Sequence, residues 1–465
     1  MEYLRPRIFI AALRGGSGKT ILSLGLISAW REKGLRIAPF KKGPDFIDAG
    51  WLSFSADRPC HNLDPFLMNK EQIIGSFLSN SEYADLSLIE GNRGLFDGLD
   101  ISGRYSTAEL AKLLNAPLII ILDVTMATRT VAAIIMGCQC FDPGLNIAGV
   151  ILNKIAGTRQ ETLITKSIEK YCNLTVVGSV PKLKNNIFPE RHMGLIPYQE
   201  RNHSEKAISW TKSIVKDNLQ LDEIWRIANE VKHIETDIKS RKSESIVITG
   251  NDSPRIGFIR DRSFWFYYPE NLNQLERIGA VLIEINSISN KGLPPLDALY
   301  IGGGFPESQA QALADNKTFR DSLKRQIERG LPVYAECGGF MYLGESLAVD
   351  NKTYPMVNAL PVKFLLKKKP QGHGYTILEV SQSNPFYSLG EILKGHEFHY
   401  SKPLIANEKD IEFVLKVSRG HGIDGLRDGV CRKNLFATYT HVHAGGNQTW
   451  AKNLYRVAVN HKKNR

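Results

Sequence analysis

The sequence predicts an α/β protein of two domains, each built around a largely parallel sheet. Short, almost uninterrupted apolar runs recur along the 465 residues, and segments with helical periodicity separate them. Such runs indicate buried parallel strands that are covered by helices on both faces. A polar stretch from Glu235 to Asn251 interrupts the alternation and is the best linker candidate. We therefore assign the domains to residues 1–232 and 253–465, with a linker at 233–252.

Composition favours a cytoplasmic enzyme. Hydrophobic residues make up 43% of the chain and charged residues 23%, which is ordinary for a globular enzyme. Six irregularly spaced cysteines indicate a reducing compartment without a disulfide framework. We expect no membrane span, because no run reaches about 18 uninterrupted apolar residues. The amino terminus also lacks the apolar core of a signal peptide.

The net charge of +11 favours small anionic ligands over nucleic acid. The basic residues are dispersed, and the sequence contains no arginine-rich helix and no aromatic-basic RNA motif. We expect this charge to attract nucleotide phosphates or a polycarboxylate substrate, and we expect no nucleic-acid partner.

A glycine-rich loop joins the first predicted strand, 7–12, to a helix that begins near Ile21. The loop residues are Gly15, Gly16, Ser17, Gly18, Lys19 and Thr20. In a phosphate-binding loop, backbone N–H groups and the helix dipole hold phosphates, the lysine neutralises charge and the hydroxyl reaches Mg²⁺. Leu13 stands where the strict motif has glycine, and Arg14 precedes a glycine pair. This variant resembles the deviant loops of partitioning ATPases.

Carboxylates follow the next two strands, predicted at 35–40 and 86–90. Asp45 and Asp48 either bind a ligand or cap the following helix, and capping accounts for Asp48 better than for Asp45. Glu90 ends its strand and is placed to bind Mg²⁺ directly or through water. Asp97 lies in a glycine-bracketed loop and is a weak signal by itself.

Three further strands are predicted at 117–123, 147–154 and 174–181, and an amphipathic helix at about 200–232. Asn153, near the end of the second of these strands, either reads an adenine base or caps a turn.

The second domain is organised around Cys337. An apolar strand at 331–334 leads into a sharp turn, and a helix follows. The helix N-terminus is expected to favour the thiolate, and neighbouring backbone N–H groups can hold an oxyanion. The alternative is a buried structural cysteine.

A histidine pair makes the nucleophile the preferred interpretation. Residues 435–443 read as one strand that carries His441 and His443 on the same face, which suits the base of a Cys–His site. The aromatic run 264–268 could stack on a flat ligand, but core packing is the default expectation.

Together these motifs resemble the cobyrinate/cobyrate synthase family of glutamine amidotransferases, and within it the a,c-diamide synthases. The stretches that carry the resemblance are 15–20, 39–48, 90–98, 302–307, 335–339, 395–401 and 438–441. The resemblance implies an ATP-dependent P-loop domain similar to dethiobiotin synthetase, followed by a class I-type glutamine amidotransferase domain. It implies the substrates ATP, L-glutamine and the corrinoid cobyrinic acid, with Mg²⁺, and it is compatible with a homodimer. Members phosphorylate the a and c acetate carboxylates in turn, and ammonia released from glutamine displaces the phosphate.

The resemblance also implies a role for each matched residue. In the first domain, Lys19 and Thr20 hold phosphate and Mg²⁺, Asp45 and Glu90 bind Mg²⁺, and Asp97 assists at the acyl phosphate. The resemblance also implies that Asp45, Phe46 and Ile47 line the corrinoid pocket. In the second domain, Cys337 is the nucleophile, His441 is its base because of the Tyr-x-His register, and Gly304 and Gly338 form the oxyanion hole. His443 stands where ordinary class I amidotransferases have a triad glutamate, which leaves the orientation of His441 unexplained.

Three alternatives stay open at this point. A nickel-sirohydrochlorin a,c-diamide synthase would use the same mechanism on another tetrapyrrole. A partitioning-type ATPase switch would act by nucleotide-dependent dimerisation, but it leaves residues 250–460 unexplained. A non-catalytic glutaminase-like binding module would not need Cys337 and His441 together.

Overall fold

The computed structural model describes residues 2–183, 190–191, 194–200, 204–237 and 253–465. The chain divides into two compact units, residues 1–243 and 244–465. The predicted linker, 233–252, lies outside the described residues from position 238 onward, so its boundaries stay a prediction. Within the described part of the chain, no helix combines the length and the hydropathy that a membrane crossing requires.

The first unit contains a seven-stranded sheet in the order β4-β3-β5-β2-β6-β7-β8, and all six pairings are parallel. This confirms the predicted parallel sheet. The strands of this unit are β1 Glu2–Tyr3, β2 Arg7–Ala12, β3 Ile37–Lys42, β4 His61–Leu63, β5 Leu86–Glu90, β6 Leu118–Asp123, β7 Ile147–Ile155, β8 Val176–Pro181, β9 Glu190–Arg191, β10 Gly194–Leu195 and β11 Ile234–Glu235. The pairs β1–β11 and β9–β10 form two small antiparallel sheets.

Helices cover this sheet, and its core is formed by apolar side chains such as Ile10, Leu24 and Leu88. The helices are α1 Lys19–Glu32, α2 Ile47–Ala56, α3 Lys70–Asn80, α4 Thr107–Leu113, α5 Thr130–Phe141, α6 Thr158–Cys172, α7 Ser204–Asn218 and α8 Leu221–Asn229, with a 3₁₀ turn at Tyr198–Glu200. The single helix predicted at 200–232 is wrong. The helix is interrupted at Leu219, which forms an isolated β-bridge with Gly178 of β8. The next N–H group, that of Gln220, donates to the Val177 carbonyl.

The second unit contains a ten-stranded sheet in the order β13-β12-β14-β15-β24-β23-β22-β19-β20-β25 and a four-stranded sheet in the order β17-β16-β18-β21. The first five strands of the large sheet are parallel, and the rest are antiparallel. The strands are β12 Arg255–Ile259, β13 Val281–Ile285, β14 Ala298–Ile301, β15 Val333–Glu336, β16 Ser346–Val349, β17 Lys352–Pro355, β18 Val362–Leu366, β19 Gly372–Val380, β20 Ile392–His399, β21 Ser401–Ile405, β22 Glu412–Arg419, β23 Arg427–Arg432, β24 Leu435–Thr438 and β25 His441–Val442.

Two apolar clusters form the core of this unit. Its helices are α9 Pro269–Arg277, α10 Ala310–Asp315, α11 Lys317–Glu328, α12 Gly338–Leu343 and α13 Thr449–Lys463, with a 3₁₀ turn at Pro306–Gln309. The aromatic run 264–268 is buried throughout, which confirms core packing.

The strand predicted at 435–443 is two strands, β24 and β25, with a break at Tyr439 and Thr440. Asp428 holds this break: its carboxylate accepts hydrogen bonds from the Thr438 hydroxyl at 2.7 Å, the Tyr439 N–H at 3.2 Å and the Thr440 hydroxyl at 3.3 Å. The orientations of His441 and His443 therefore cannot be derived from the alternation of side chains along one continuous strand.

Candidate functional sites

The loop between β2 and α1 has the backbone of a phosphate-binding loop. Gly16 and Gly18 have φ angles of 70° and 96°, a region that favours glycine. A Cβ at Gly18 would lie 2.5 Å from Nδ2 of Asn153. Asn153 in turn donates from Nδ2 to the Ser17 carbonyl at 2.8 Å. The structure thus places Asn153 against the phosphate loop, where its amide braces the loop backbone.

Lys19 and Thr20 begin α1 and point toward neighbouring loops and strands. Nζ of Lys19 donates to the carbonyls of Arg93 at 2.9 Å and Arg14 at 3.3 Å. Burial lowers the pKa of Lys19, while the Glu90 carboxylate acts in the opposite direction. The Thr20 hydroxyl donates to Oε1 of Glu90 at 3.0 Å. The sequence-predicted phosphate and metal residues are therefore brought together at the carboxyl end of β5.

Glu90 belongs to a buried ion network that sequence reasoning missed. Nζ of Lys41 lies 2.6 Å from Oε1 of Glu90 and 2.8 Å from Oδ2 of Asp48. Burial alone would lower the pKa of Lys41, but the two carboxylates raise it above its usual value. The available signal was a lysine pair, Lys41 and Lys42, at the end of an apolar strand, because such lysines must find buried partners.

Asp45 and Asp48, the two carboxylates after β3, have the opposite roles to those that the capping argument predicted. Oδ1 of Asp45 accepts from the N–H groups of Ile47 at 2.7 Å and Asp48 at 3.2 Å, so Asp45 caps the start of α2. Asp48 pairs with Lys41 instead. The expectation that capping explains Asp48 better is wrong, because the buried lysine could not be placed from sequence. Burial, reinforced by Asp48, raises the pKa of Asp45 to about 7.

The donor set suits Mg²⁺. Oε2 of Glu90 is buried and, among the described residues, has no hydrogen-bond partner, so one carboxylate oxygen is available to an ion. No three His, Cys, Asp or Glu side chains converge as a metal cluster within the described ranges. Mg²⁺ commonly takes one or two carboxylates and completes its shell with phosphate oxygens and water, so Thr20, Asp45 and Glu90 fit that pattern.

The remaining predicted residues lie around this network. Phe46 and Ile47 are half-buried at the start of α2 and pack against the core of the unit. Asp97 is exposed, and its Oδ2 accepts from the Gly94 N–H at 2.9 Å. Its charge opposes the lowering, by burial, of the pKa values of Lys19 and Lys42.

Cys337 occupies a strained turn between β15 and α12. Its φ of 47° and ψ of −100° are unusual for a residue with a side chain and typical of a nucleophile elbow, at a cost of about 1–3 kcal/mol. Glycines make the turn possible: a Cβ at Gly339 would lie 2.5 Å from the Ile301 carbonyl. The predicted sharp turn is confirmed.

The resting form of Cys337 differs from the expected thiolate. Burial raises the pKa of the thiol, and the charge of Glu307 adds to the effect, while the Gly338 N–H acts in the opposite direction. The helix that follows has only six residues, so its dipole is small. Sγ lies 3.7 Å from the Phe398 carbonyl. The raised pKa therefore favours the thiol form of Cys337.

The predicted oxyanion glycines are adjacent. A Cβ at Gly338 would lie 2.9 Å from the carbonyl oxygen and 3.1 Å from the nitrogen of Gly304. Gly304 has a φ of 152°, and the carbonyl of the preceding Gly303 accepts from the N–H groups of Trp265 and Phe266. These bonds hold the glycine loop beside the elbow.

His441 lies against the same loop, since a Cβ at Gly303 would overlap its ring. The imidazole stacks on Phe266, with ring centroids 4.1 Å apart, and on His396 at 5.1 Å. Burial lowers the pKa of His441 to about 3. A neutral imidazole is therefore present beside the oxyanion loop.

His443 has a different environment. Its Nε2 lies 3.4 Å from Oε2 of Glu270, and its Nδ1 accepts from the Gly445 N–H at 3.1 Å. The structure thus separates the two histidines, and it pairs each with a different carboxylate, because His441 Nδ1 lies 3.5 Å from Oε2 of Glu336.

Comparison with known proteins extends over both units. Residues 8–196 match the CobQ/CobB/MinD/ParA nucleotide binding domain, and residues 255–449 match the CobB/CobQ-like glutamine amidotransferase domain. A cobyrinate a,c-diamide synthase of Magnetococcus marinus is 37% identical over 457 residues, and one of Archaeoglobus fulgidus is 37% identical over 458. Each alignment covers 98% of both chains. The amidotransferase match accounts for the region that a partitioning-type ATPase switch leaves unexplained.

Proposed function

This chain belongs to the cobyrinate a,c-diamide synthase family, and we propose on that basis that it converts the a and c acetate carboxylates of cobyrinic acid to amides. ATP activates the carboxylates and glutamine supplies the nitrogen. The observation that carries the proposal is the presence, in one chain, of a phosphate loop facing the buried Glu90 and of a glycine loop, Gly303–Gly304, that contacts both the cysteine elbow and a neutral histidine.

In the first unit, the chemistry begins with a carboxylate, which is a poor acyl donor. A substrate carboxylate oxygen attacks the γ-phosphorus of ATP, ADP leaves, and the resulting acyl phosphate carries a good leaving group. The loop N–H groups and Lys19 offset the phosphoryl charge. Mg²⁺, held by Thr20, Asp45 and Glu90, would supply further charge neutralisation. Ammonia then attacks the acyl carbon, and phosphate leaves.

Lys41 supports this site without touching substrate. Its ammonium contacts Oε1 of Glu90, which keeps that carboxylate oriented with Oε2 available for the ion. Asp45, Phe46 and Ile47 form one rim of the proposed corrinoid pocket. Asp97 assists at the acyl phosphate in this proposal.

In the second unit, Sγ of Cys337 attacks the carboxamide carbon of glutamine, and its proton passes to Nε2 of His441. The N–H groups of Gly304 and Gly338 receive the developing oxyanion. The C–N bond then breaks, and His441 returns the proton to the leaving ammonia. Water hydrolyses the thioester and releases glutamate. The low pKa of His441 keeps its imidazole neutral, as an acceptor must be.

Mass spectrometry of two tetrapyrroles tests the proposal. Cobyrinic acid and nickel-sirohydrochlorin are each incubated with the protein, Mg²⁺-ATP and glutamine. Two carboxyl-to-amide conversions on cobyrinic acid alone are expected. A preference for nickel-sirohydrochlorin would assign the same mechanism to the other tetrapyrrole. ATP hydrolysis without an amide on either compound would contradict diamide synthesis.

A homodimer is the assembly we propose, with the outward face of α5 as the interface. This helix carries no Asp, Glu, Lys or Arg, and Ile134, Met136 and Phe141 are 44%, 41% and 75% exposed. An uncharged face can cover its own copy about a two-fold axis. Light scattering should give twice the chain mass, and Ile134→Glu should give monomers. A monomeric wild type would contradict the proposed dimer and leave the proposed activity unaffected.

We also propose a cytoplasmic location, where ATP and glutamine are available.

A further inference from the structure

We propose that Glu336, the residue immediately before the nucleophile, is the positioning residue that orients His441 and completes the cysteine site. The inference rests on the proposed glutaminase function. It answers the question raised by His443, which stands where an amidotransferase triad has its glutamate and itself faces Glu270.

The carboxylate of Glu336 lies beside the Nδ1 edge of the His441 imidazole. Glu336 is the last residue of β15, and its side chain is 2% exposed. Its Oε2 lies 3.5 Å from Nδ1 of His441. The turn at Cys337 reverses the chain direction directly after Glu336, so neighbouring residues can address the two nitrogens of one ring. With Nδ1 facing the carboxylate, Nε2 is the nitrogen that remains for the thiol proton.

A buried polar chain holds Glu336 to the segment that carries His441. The Tyr300 hydroxyl donates to Oε2 of Glu336 at 3.2 Å, and the Val442 N–H donates to Oε1 at 3.3 Å. Nδ2 of Asn271 reaches both the Tyr300 hydroxyl, at 3.2 Å, and the Val442 carbonyl, at 2.8 Å. These bonds fix the carboxylate relative to the backbone next to His441, which is what an orienting residue requires.

The other carboxylates of this region are engaged elsewhere. Glu397 accepts from the N–H groups of His421 and Gly422 and lies 3.7 Å from His399. Glu270 faces His443 at 3.4 Å. Among the described residues, Glu336 is the carboxylate within ion-pair distance of His441.

The electrostatics match a group that is needed after proton transfer. Burial raises the pKa of Glu336 to about 8, although the Val442 N–H and the Tyr300 hydroxyl oppose the shift. The titratable neighbours of His441 include Glu336, His396 and His399, and burial keeps His396 neutral by lowering its pKa well below the usual value. An imidazolium formed at His441 would favour the ionised form of Glu336, whose Oε2 lies 3.5 Å from Nδ1.

Kinetics of glutamine hydrolysis by Glu336→Gln test the inference, with Glu270→Gln as the matched control from a second buried histidine–glutamate pair. Glutamine can still accept from Val442 and Tyr300, but it cannot compensate an imidazolium. We expect kcat to fall by roughly 10²- to 10⁴-fold with KM within about threefold, and the pH profile of kcat/KM to change shape. Glu270→Gln should stay within about threefold. Amidation with ammonium chloride in place of glutamine should persist in both variants.

The outcomes separate the two levels of proposal. A wild type that hydrolyses glutamine together with a Glu336→Gln variant within threefold of it would overturn the positioning role alone. A wild type that releases no ammonia from glutamine would overturn the proposed function, and the role with it. Should Glu336→Gln fail to fold, Glu336→Asp decides: a lower kcat at unchanged KM and a wild-type pH profile support the role, and a wild-type kcat overturns it.

Discussion

The phosphate-loop site of the first unit gathers charged side chains, whereas the cysteine site of the second unit keeps its reactive groups neutral. In the first, two carboxylates raise the pKa of the buried Lys41, which stays a cation beside Glu90. In the second, burial raises the pKa of Cys337 and lowers that of His441 to about 3. Both sites are buried, so burial does not decide protonation by itself.

The difference lies in whether the opposite charge is built in. Lys41 meets two carboxylates at 2.6 and 2.8 Å, so its charge is compensated before any ligand arrives. In the proposed mechanism, Cys337 and His441 become an ion pair only when the thiol proton passes to the imidazole, and glutamine must be present for that transfer to be productive. A site that binds polyanions can carry its charges before the ligand arrives, whereas a glutaminase benefits from a cysteine that stays an unreactive thiol until glutamine binds.

The substitution Cys337→Ala should have the largest effect and should separate the activities of the two sites. It removes the group that becomes charged during hydrolysis, so glutamine-dependent amidation should fall by roughly 10⁴-fold or more. Amidation with ammonium chloride should persist, because the first unit is unchanged. Product analysis with both nitrogen sources measures this. The control is Cys431→Ala, a buried cysteine in β23, which should keep both reactions. Equal loss with both nitrogen sources would contradict two separable sites.

Lys19→Met should give the complementary pattern. Without its ammonium, the phosphoryl charge is less well offset, and amidation should fall by roughly 10²- to 10³-fold with either nitrogen source. Hydrolysis of glutamine alone should change little. Lys33→Met, at an exposed pair with Asp222, is the matched control. A variant that keeps full amidation would show that Lys19 does not act on phosphate.

Lys41→Met sharpens the comparison through stability. It leaves Glu90 buried without its cation, which should reduce the free energy of unfolding by about 3–5 kcal/mol. Lys33→Met loses only an exposed pair, worth about 0–1 kcal/mol. Thermal unfolding of both variants, followed for the first unit's transition, measures the contrast. Similar shifts for the two would mean that the buried network contributes no more than a surface pair.

Asp428→Asn should give the smallest effect, visible as a change with pH. Burial raises the pKa of Asp428 to about 6, so the folded unit retains a proton that the unfolded chain loses near pH 4. The stability this contributes is present below pH 4 and is lost as pH rises through about 6. The variant should therefore gain on the wild type between pH 4 and pH 7, by about 2–3 kcal/mol. Melting temperatures across that range test it, and parallel curves would contradict it.

Sequence patterns predicted the parts of the fold that depend on short-range order. The strands at 7–12 and 86–90 and the sharp turn at Cys337 are confirmed by the structure. Each rests on a local signal: a continuous apolar run, or a glycine that alone tolerates the backbone angle. The strands β16 to β23 of the second unit carried no such signal, because half-exposed strands mix polar and apolar residues.

The sequence by itself determined which chemical groups this protein carries and which backbone turns present them: Gly18, Lys19 and Thr20 after one strand, and Cys337 after another. Only the tertiary structure decided which charges meet. It gave Lys41 to Glu90 and Asp48, left Asp45 to cap α2, and placed Glu336 rather than a neighbour of His443 against His441. The physical reason is that the pairs Lys41–Glu90 and Glu336–His441 join residues distant in sequence, whose approach depends on strand order and register, which no local pattern encodes.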